Sequence, residues 1–457
     1  MIILTKHLLN WEETPLNDLL LCLETGARPK GGVDRYKTGL PSLGGEHLTA
    51  DGKFNLKNLK FIPEYFAEKL LRGKISQGDV LIVKDGATTG KCVLVQNNFQ
   101  FDRAYVNEHV FLCRFLSILD SRFFAYYLRS DKGQKRILNN FRGAAQGGIP
   151  QSFADNTLIP VAPVNEQKRI ADKLDTLLAK VDACREHLER VPQILKRFRQ
   201  AVLAAATSGR LTEEWREEHN KWETCTLGSV ITDIRYGTSK KSFYDLNNGT
   251  PVLRIPNIGD RKIDPTDLKF TQFDDKEIKN LSLKSGDLLL IRSNGSVELV
   301  GKVAVVSPEF EGYMYAGYLI RLRFDITKIN PYYINLYLIS PAIRKHIEFT
   351  TRSTSGVNNI NSEEVKAIPL NLPSLAEQHE IVRRVELLFA YADKLETRYQ
   401  AARSRVDSLT PSLLAKAFRG ELVPQDANDE AAAVLLERIR DSKGLPSPDP
   451  KGFLPDL

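Results

Sequence analysis

The stretch LIPVAPVNEQKRIADKLDTLLAKVDACREHLERVPQILKRFRQAV, residues 158–202, carries apolar side chains at Ile170, Leu174, Leu177, Val181, Cys184, Leu188, Val191, Leu195, Phe198 and Val202. The spacing alternates four and three residues over more than four heptads, the period that keeps one stripe of a helix against a partner helix. A single stripe of this kind is usually one face of an ordinary core helix. Here it recurs, because a shift of 211 residues lands on Ile381, Val385, Leu388, Ala392, Leu395, Tyr399, Ala402, Val406, Leu409 and Leu413. Two matching seams in one chain point to an intramolecular coiled coil. Pro192 departs from the pattern: it removes one hydrogen bond and clashes with the preceding turn, which predicts a kink or break. Its copy is Arg403, so the second helix should have no matching kink.

The same shift extends outward from the helices. Trp11-Glu12 returns as Trp222-Glu223, Gly26 as Gly237, Glu166-Gln167 as Glu377-Gln378 and Gly209 as Gly420. Between these anchors the register slips by only one to three residues. Gly78–Lys84 matches Gly286–Arg292, for example, and Ile159-Pro160 matches Ile368-Pro369. The 457 residues therefore read as a leader of 10, two units of 211 and a tail of 25, a tandem duplication. Each unit opens with about 150 residues of short apolar runs bounded by turn residues, such as Val80–Lys84, Val93–Gln96 and Val110–Phe115, with a helix expected near Ser121–Leu138.

Lengths then set the topology. Residues 170–202 span about 50 Å as helix, while the joint from Leu211 to Trp222 reaches at most roughly 35–40 Å. The second globular segment must start near the far end of the first helix, and the second helix must run back to pair with it. The expected fold class is α+β: two α/β globular segments separated by two long antiparallel helices, an internal tandem repeat with pseudo-twofold symmetry and a dumbbell outline. The segments are expected at 1–162 and 222–371, the first helix and joint at 163–221, the second helix at 372–422 and a tail helix within 423–457.

Composition bounds the function. A chain that is 42% hydrophobic and 26% charged is a soluble globular protein by composition, and no apolar run approaches the roughly 18 residues of a membrane span. The N-terminus has no signal-type stretch, so a cytoplasmic location is expected. The five cysteines form no C-x-x-C pair, which argues against structural zinc and against a disulfide framework. Net charge is +7, and the excess sits mainly in the globular segments, at +5 for 1–162 and +2 for 222–371. That bias permits nucleic-acid binding without demanding it.

The repeated features carry a resemblance. Leu158–Pro163 followed by Glu166-Gln167 and Ile170, the matching Ile368-Pro369-Leu370 with Glu377–Ile381, and the helix ends Ala205–Leu211 and Lys416–Leu422 resemble the specificity (S) subunit of type I restriction-modification systems over essentially the whole chain. The resemblance implies a DNA-binding, non-catalytic subunit in which 1–162 and 222–371 are target-recognition domains, each reading one half of a bipartite, asymmetric site. It implies helices that set the spacer and dock two methyltransferase (M) subunits, which use S-adenosylmethionine to methylate adenine N6. Restriction (R) subunits with ATP and Mg can join the complex, and no cofactor is implied for this chain itself. Gly420–Asp426 and the periodic Ala431–Ile439 resemble the family's closing helix. Asp429 is its expected N-cap, and the helix should pack beside the leader; beyond Pro446 a flexible end is equally expected.

Readers of duplex DNA place basic and amide side chains on loops, with phosphate contacts positioning and base contacts specifying. Three loop pairs recur. The candidates are Arg28 and Lys30 with Lys240 and Lys241; Lys84 and Lys91 with Arg292, Asn294 and Lys302; and Arg142 and Gln146 with Arg352 and Asn358. For any one of them the bland alternative is a solvated surface charge. His47 and Asn257 follow matched strands, where a turn-stabilising hydrogen bond is the simpler role. Asn330-Pro331-Tyr332-Tyr333 approaches the base-holding motif of amino-methyltransferases but has Tyr where the motif needs Pro, so a capped helix start is the expectation. Glu277-Ile278-Lys279, downstream of Asp264 and Asp267, faintly suggests a metal-dependent nuclease, and the first copy lacks it. No phosphate-binding loop pattern is present. A self-contained methyltransferase or nuclease and a coiled-coil scaffold without nucleic acid remain the alternatives. Adding one heptad to both helices should lengthen the preferred spacer by about 10 Å, or roughly 3 base pairs; methylation of DNAs of graded spacing checks this, and an unchanged optimum refutes the ruler.

Overall fold

The structure is a computed structural model that describes residues 10–143, 147–216, 221–244, 249–354 and 357–444. It divides into two compact units, Met1–His187 with Ala402–Leu457, and Leu188–Ala401. Each unit holds one globular segment, the start of one long helix and the end of the other.

In the first unit a four-stranded antiparallel sheet runs in the order Leu20–Thr25, Val110–Phe115, Val80–Val83, Cys92–Leu94. The central strand Val80–Val83 is apolar at every position because both of its faces are covered. Side chains alternate across a strand, so Val80 and Ile82 enter the core beneath the helices, while Leu81 and Val83 enter a second core on the opposite face. The second unit repeats this with Ile231–Tyr236, Leu319–Phe324, Leu288–Ile291 and Val303–Val305. Leu288 and Leu290 face one core and Leu289 and Ile291 the other. A smaller sheet also recurs: Leu40–Leu43 lies between Lys60–Ile62 and Tyr105–Val106, and Thr250–Leu253 between Lys269–Thr271 and Met314–Tyr315.

Each globular segment is closed by a two-stranded ribbon, Glu12–Pro15 with Leu158–Val161 and Glu223–Thr226 with Pro369–Leu372. The ribbon delivers the chain to the long helices Val164–Thr207 and Leu375–Ala417. Within each unit the two helical stretches run antiparallel. In the first, Arg185 reaches Asp407 and Thr410 at 3.4 Å each, while Leu174 shares a core with Leu414. In the second, Arg199 bonds Asp393 at 2.8 Å and Glu396 at 2.7 Å, while Val202, Leu203 and Ala206 share a core with Ile381, Val385 and Phe389. Of the twenty heptad positions only Cys184 and Leu409 are exposed; the others are buried or half-buried.

Three expectations are corrected. Of the kink or break expected at Pro192 the break does not occur: the first long helix continues through Pro192, and the second continues through Pro411; at an exposed position the loss of one hydrogen bond does not end a helix. The helix expected over 121–138 is two helices, Ser121–Arg129 and Asp131–Leu138, because Ser130 is extended and its hydroxyl caps the second by accepting from Gly133 N at 3.1 Å. The tail helix is Ala432–Lys443 with Ala431 as its N-cap. Asp429 instead accepts from Arg169 at 2.6 Å and from Asn165 at 3.3 Å. The tail does pack beside the start of the described chain, with Ala432 N donating to Asn10 O at 3.0 Å and Leu435, Leu436 and Ile439 entering the first core. Residues beyond Pro446 lie outside the described ones.

Arg169 holds the Asp429 carboxyl below the usual carboxylate range, with Arg169's hydrogen bond the largest cause. A depressed carboxylate contributes stability that is complete above its unfolded value of about 4 and is lost as pH falls through its folded value. Arg169→Ala leaves Asp429, which is 8% exposed, with a buried unpaired charge. It should loosen the tail by about 2 kcal/mol near neutral pH and have little effect in acid; amide exchange across Ala432–Lys443 measures both.

Candidate nucleic-acid interface

The first two recurring loops follow strands that finish at the same end of each four-stranded sheet, and backbone bonds tie the loops to one another and to a neighbouring segment. In the first unit Lys84 N donates to His109 O at 2.8 Å, and Lys84 O accepts from Ile149 N at 2.8 Å. In the second, Arg292 N donates to Tyr318 O and Arg292 O accepts from Ile360 N, both at 2.9 Å. These bonds place the second loop between the third loop and a segment absent from the sequence reading, Asn107–His109 in one unit and Ala316–Tyr318 in the other. The first loop meets that segment too: Gly26 N donates to Asn107 O at 3.2 Å, and Gly317 N to Thr238 O at 2.7 Å.

The side chains in the first unit form one network. Arg28 Nε and NH2 bond Glu108, and Arg28 NH2 also donates to His109 Nε2 at 2.8 Å. His109 Nδ1 lies 2.6 Å from Asp85 Oδ1. Lys84 Nζ donates to the Glu108 carbonyl at 3.3 Å and lies 3.8 Å from Asp85. Arg142 is exposed beside the others, its backbone bonded both ways with Gly148. Lys30 sits before the left-handed glycines Gly31 and Gly32, and its carbonyl accepts from Arg35 at 3.2 Å. Lys91 is half-buried at the foot of the second loop. Gln146 lies outside the described residues.

The second unit answers with different side chains. The Arg292 guanidinium lies 4.6 Å from the ring centroid of Tyr236 and reaches Gly317 O at 3.5 Å. Tyr236 and Tyr318 are both exposed. Ser293–Asn294, Val357–Asn359 and Arg352–Thr354 make a small sheet that joins the second and third loops. Asn358 Nδ2 bonds Gly295 O at 3.0 Å, and Asn294 Oδ1 accepts from Ser296 N at 2.8 Å. The side chain of Arg352 lies outside the described residues. Lys240 is drawn toward Glu277 at 2.6 Å, whose carboxyl that bond lowers. Lys241 stands 5.6 Å from the Phe243 ring, and Lys302 is half-buried at the foot of its loop. Arg28, Lys84 and Arg142 are thus brought together in one unit and Arg292, Asn294 and Asn358 in the other, while Lys240 faces a neighbouring helix.

The residues that imitated catalytic motifs have structural work. Asn330 Oδ1 caps a helix by accepting from Tyr332 N at 3.0 Å, with Pro331 in its first turn. Glu277 closes a capping box with Asp274. His47 Nδ1 and Asn257 Oδ1 accept from Gly44 N at 2.9 Å and Arg254 N at 2.8 Å, tying matching turns. Among the described residues no group of three or more His, Cys, Asp and Glu is placed to hold a metal ion, and no helix is long and apolar enough to cross a membrane.

His109 and Tyr318 sit one residue before the matched strands Val110–Phe115 and Leu319–Phe324, so the repeat itself marked their position. Their divergence, His against Tyr, hid them from a search for basic loops.

The family model described as the type I restriction modification DNA specificity domain matches residues 9–193 and again 219–402. Two relatives align over nearly the whole chain. The type I restriction enzyme EcoKI specificity subunit of Escherichia coli (strain K12) is 36% identical over 403 residues, covering 85% of this chain and 86% of the relative. The StySPI specificity subunit of Salmonella potsdam is 35% identical, covering 86% and 87%. The crystal structure of the HsdS subunit from Thermoanaerobacter tengcongensis shares the fold at TM-score 0.60 and 20% identity, covering 90% of this chain and 97% of that one.

Gly26 and Gly237 open the first loop at a close approach of backbone to backbone, where a Cβ would overlap the carbonyl oxygen of Val106 or Tyr315. Gly26→Ala should therefore displace the Arg28 loop and weaken binding to DNA altered in one half-site less than it weakens binding to the intact site, and Gly237→Ala should do the same for the other half. Competition binding with half-site variants checks it.

Proposed function

This chain belongs to the type I restriction-modification DNA specificity family and is a recognition subunit rather than the enzyme, and from that premise we propose that each unit presents one loop cluster to one half of a bipartite DNA target. The reading rests on one observation above the rest: matched backbone bonds at Lys84 and Arg292 hold the second and third loops to a joining segment at one end of the sheet in both units, while the side chains on them differ. A shared frame with diverged tips is what two unlike half-sites require.

In this proposal residues 1–162 and 222–371 are the recognition domains. Arg28, Lys84, Arg142, Arg292, Asn294 and Asn358 lie at the DNA, joined by Glu108, His109, Tyr236 and Tyr318, and Lys30, Lys91, Lys240, Lys241 and Lys302 flank them. Arginine suits guanine edges and phosphates, amides suit adenine, and an acceptor such as Glu108 suits the amino group of cytosine. The helical regions 163–221 and 372–422 space the domains and dock two methyltransferase subunits, whose S-adenosylmethionine supplies the methyl group. Restriction subunits bring ATP and Mg to the same complex, and the tail helix Ala432–Lys443 closes the first unit.

The test is reconstitution with a methyltransferase subunit and labelled S-adenosylmethionine. Methyl transfer should need both proteins and both half-sites, and transfer by this chain alone overturns the reading. Lys84→Ala and Arg292→Ala should each lower the slope of log K against log salt by about 1, measured by binding titrations at graded salt.

A further inference from the structure

Beyond the apolar core that each globular segment shares with the long helices, polar and cation–ring contacts tie it to its helix at two places, and the second is built differently in the two units. The first hold is the helix start, where Trp11 donates to Glu166 and Trp222 to Glu377, both at 3.0 Å. The second hold lies further along the helix. In the first unit Arg122 NH1 donates to Asp172 and Asp175 at 2.7 Å each, Tyr126 donates its hydroxyl proton to Asp175, and Lys53 pairs with Asp182 at 2.8 Å. Asp172, Asp175 and Asp182 are spaced three and seven residues apart, so they form one stripe of the helix. Their copies at a shift of 211 are Arg383, Glu386 and Asp393. Arg383 pairs with Glu380 at 2.7 Å and Asp393 with Arg199 at 2.8 Å, all on the long helices, so the carboxylate seat does not recur.

The second unit uses an arginine laid on a ring. The loops at 49–53 and 259–262 correspond, each ending on a lysine preceded by a left-handed residue, Gly52 at φ 77° and Arg261 at φ 67°. Gly52 has no side chain, and a Cβ there would strike the guanidinium of Arg129, which bonds the neighbouring Asp51 carbonyl. In its place Arg261 extends over Phe389 with its guanidinium carbon 4.6 Å from the ring centroid, and Asn335 Nδ2 secures the Arg261 carbonyl at 3.3 Å. Phe389 is buried; its copy on the first helix is Leu178. Each seat is thus complete in its own unit, with a carboxylate stripe in one and an aromatic platform in the other.

Apolar packing is non-directional, so the second tie fixes an orientation that the first tie and the shared core leave adjustable. From Glu166 to Asp182 is about 24 Å of helix, and from Glu377 to Phe389 about 18 Å. We infer that Arg122 with its carboxylate stripe and Arg261 on Phe389 are positioning residues: they orient each recognition domain on its helix and thereby set how strictly the enzyme reads the spacing of the two half-sites. A one-base-pair change in spacer both shifts a half-site by about 3.4 Å and rotates it about the duplex, so a swivelling domain would tolerate what a seated one rejects. The inference rests on the proposed bipartite reading.

The experiment uses the full chain assembled with its methyltransferase subunits, comparing methylation of the cognate DNA, of DNAs with spacers one base pair longer or shorter, and of DNAs with one half-site mutated. For Arg122→Ala, Arg261→Ala and Phe389→Leu the preference for the cognate spacer should fall about tenfold while discrimination against mutated half-sites is kept. Arg261→Lys, which retains a cation over the ring, should restore spacer preference. Unchanged spacer preference in variants that assemble, or equal loss on every DNA, overturns the inference. A wild-type complex indifferent to mutation of either half-site would instead overturn the bipartite reading, and this inference with it.

Discussion

A buried carboxylate begins each long helix, and the rest of the fold is arranged to satisfy it. Glu166 and Glu377 are 1% and 2% exposed, and a carboxylate taken from water is costly unless hydrogen bonds replace the lost hydration. In both units the indole of the tryptophan that opens the globular segment supplies one bond at 3.0 Å. The neighbouring glutamine supplies a second tie. Gln167 accepts from Asp120 N at 3.2 Å and donates to Ala162 O at 2.7 Å, while Gln378 accepts from Asn330 N at 2.7 Å and donates to Pro373 O at 3.0 Å. The Glu-Gln pair therefore fixes the segment's first strand, its exit strand and the N-terminus of one of its helices at one place on the long helix.

The remaining lone pairs explain the chain's two odd pieces. Glu377 receives Thr212 at 2.7 Å and Arg216 at 3.1 Å from the joint between the repeats. Among the described residues Glu166 receives Gln425 of the tail, at 3.4 Å, and burial raises its carboxyl above the usual range. The joint covers the helix start of the second unit, and the tail covers that of the first. Because the two are copies at the same shift, the tail is the cover that the first unit would otherwise lack, and Arg169 with Asp429 anchors it.

A rigid shared frame lets the loop tips diverge. The backbone bonds at Lys84 and Arg292 hold the loops by atoms every residue possesses, so the side chains are released from structural duty. The network of Arg28, Glu108, His109 and Asp85 in one unit and the stack of Arg292 on Tyr236 in the other are two fillings of one mould. Divergence has reached the seats on the helices as well, where Gly52 with Arg129 in one unit answers to Arg261 with Phe389 in the other.

Much of this was legible in the sequence because it repeats. The 211-residue shift, the heptads from Ile170 and Ile381, and the basic loops are patterns along the chain, and periodicity reports which side of a helix must be covered. The helix start at Asn330-Pro331 and the turns at His47 and Asn257 were readable for a local reason, since caps and turns are settled within a few residues. Asp429 misled because its local signal, a capping residue before a helix, was overridden by Arg169, 260 positions away in the chain. Pro192 misled because a local rule gives the cost of a residue without giving the packing that absorbs it. The repeat marked the position of His109 and Tyr318, but with Glu108 they share no residue type that signals a role, since they matter through what the fold sets beside them. The sequence alone determined the duplication, the paired helices and the positions of the loops. Only the tertiary structure decided which loop residues meet, what covers each buried glutamate and how each domain is seated, because those bonds join residues that no period along the chain connects.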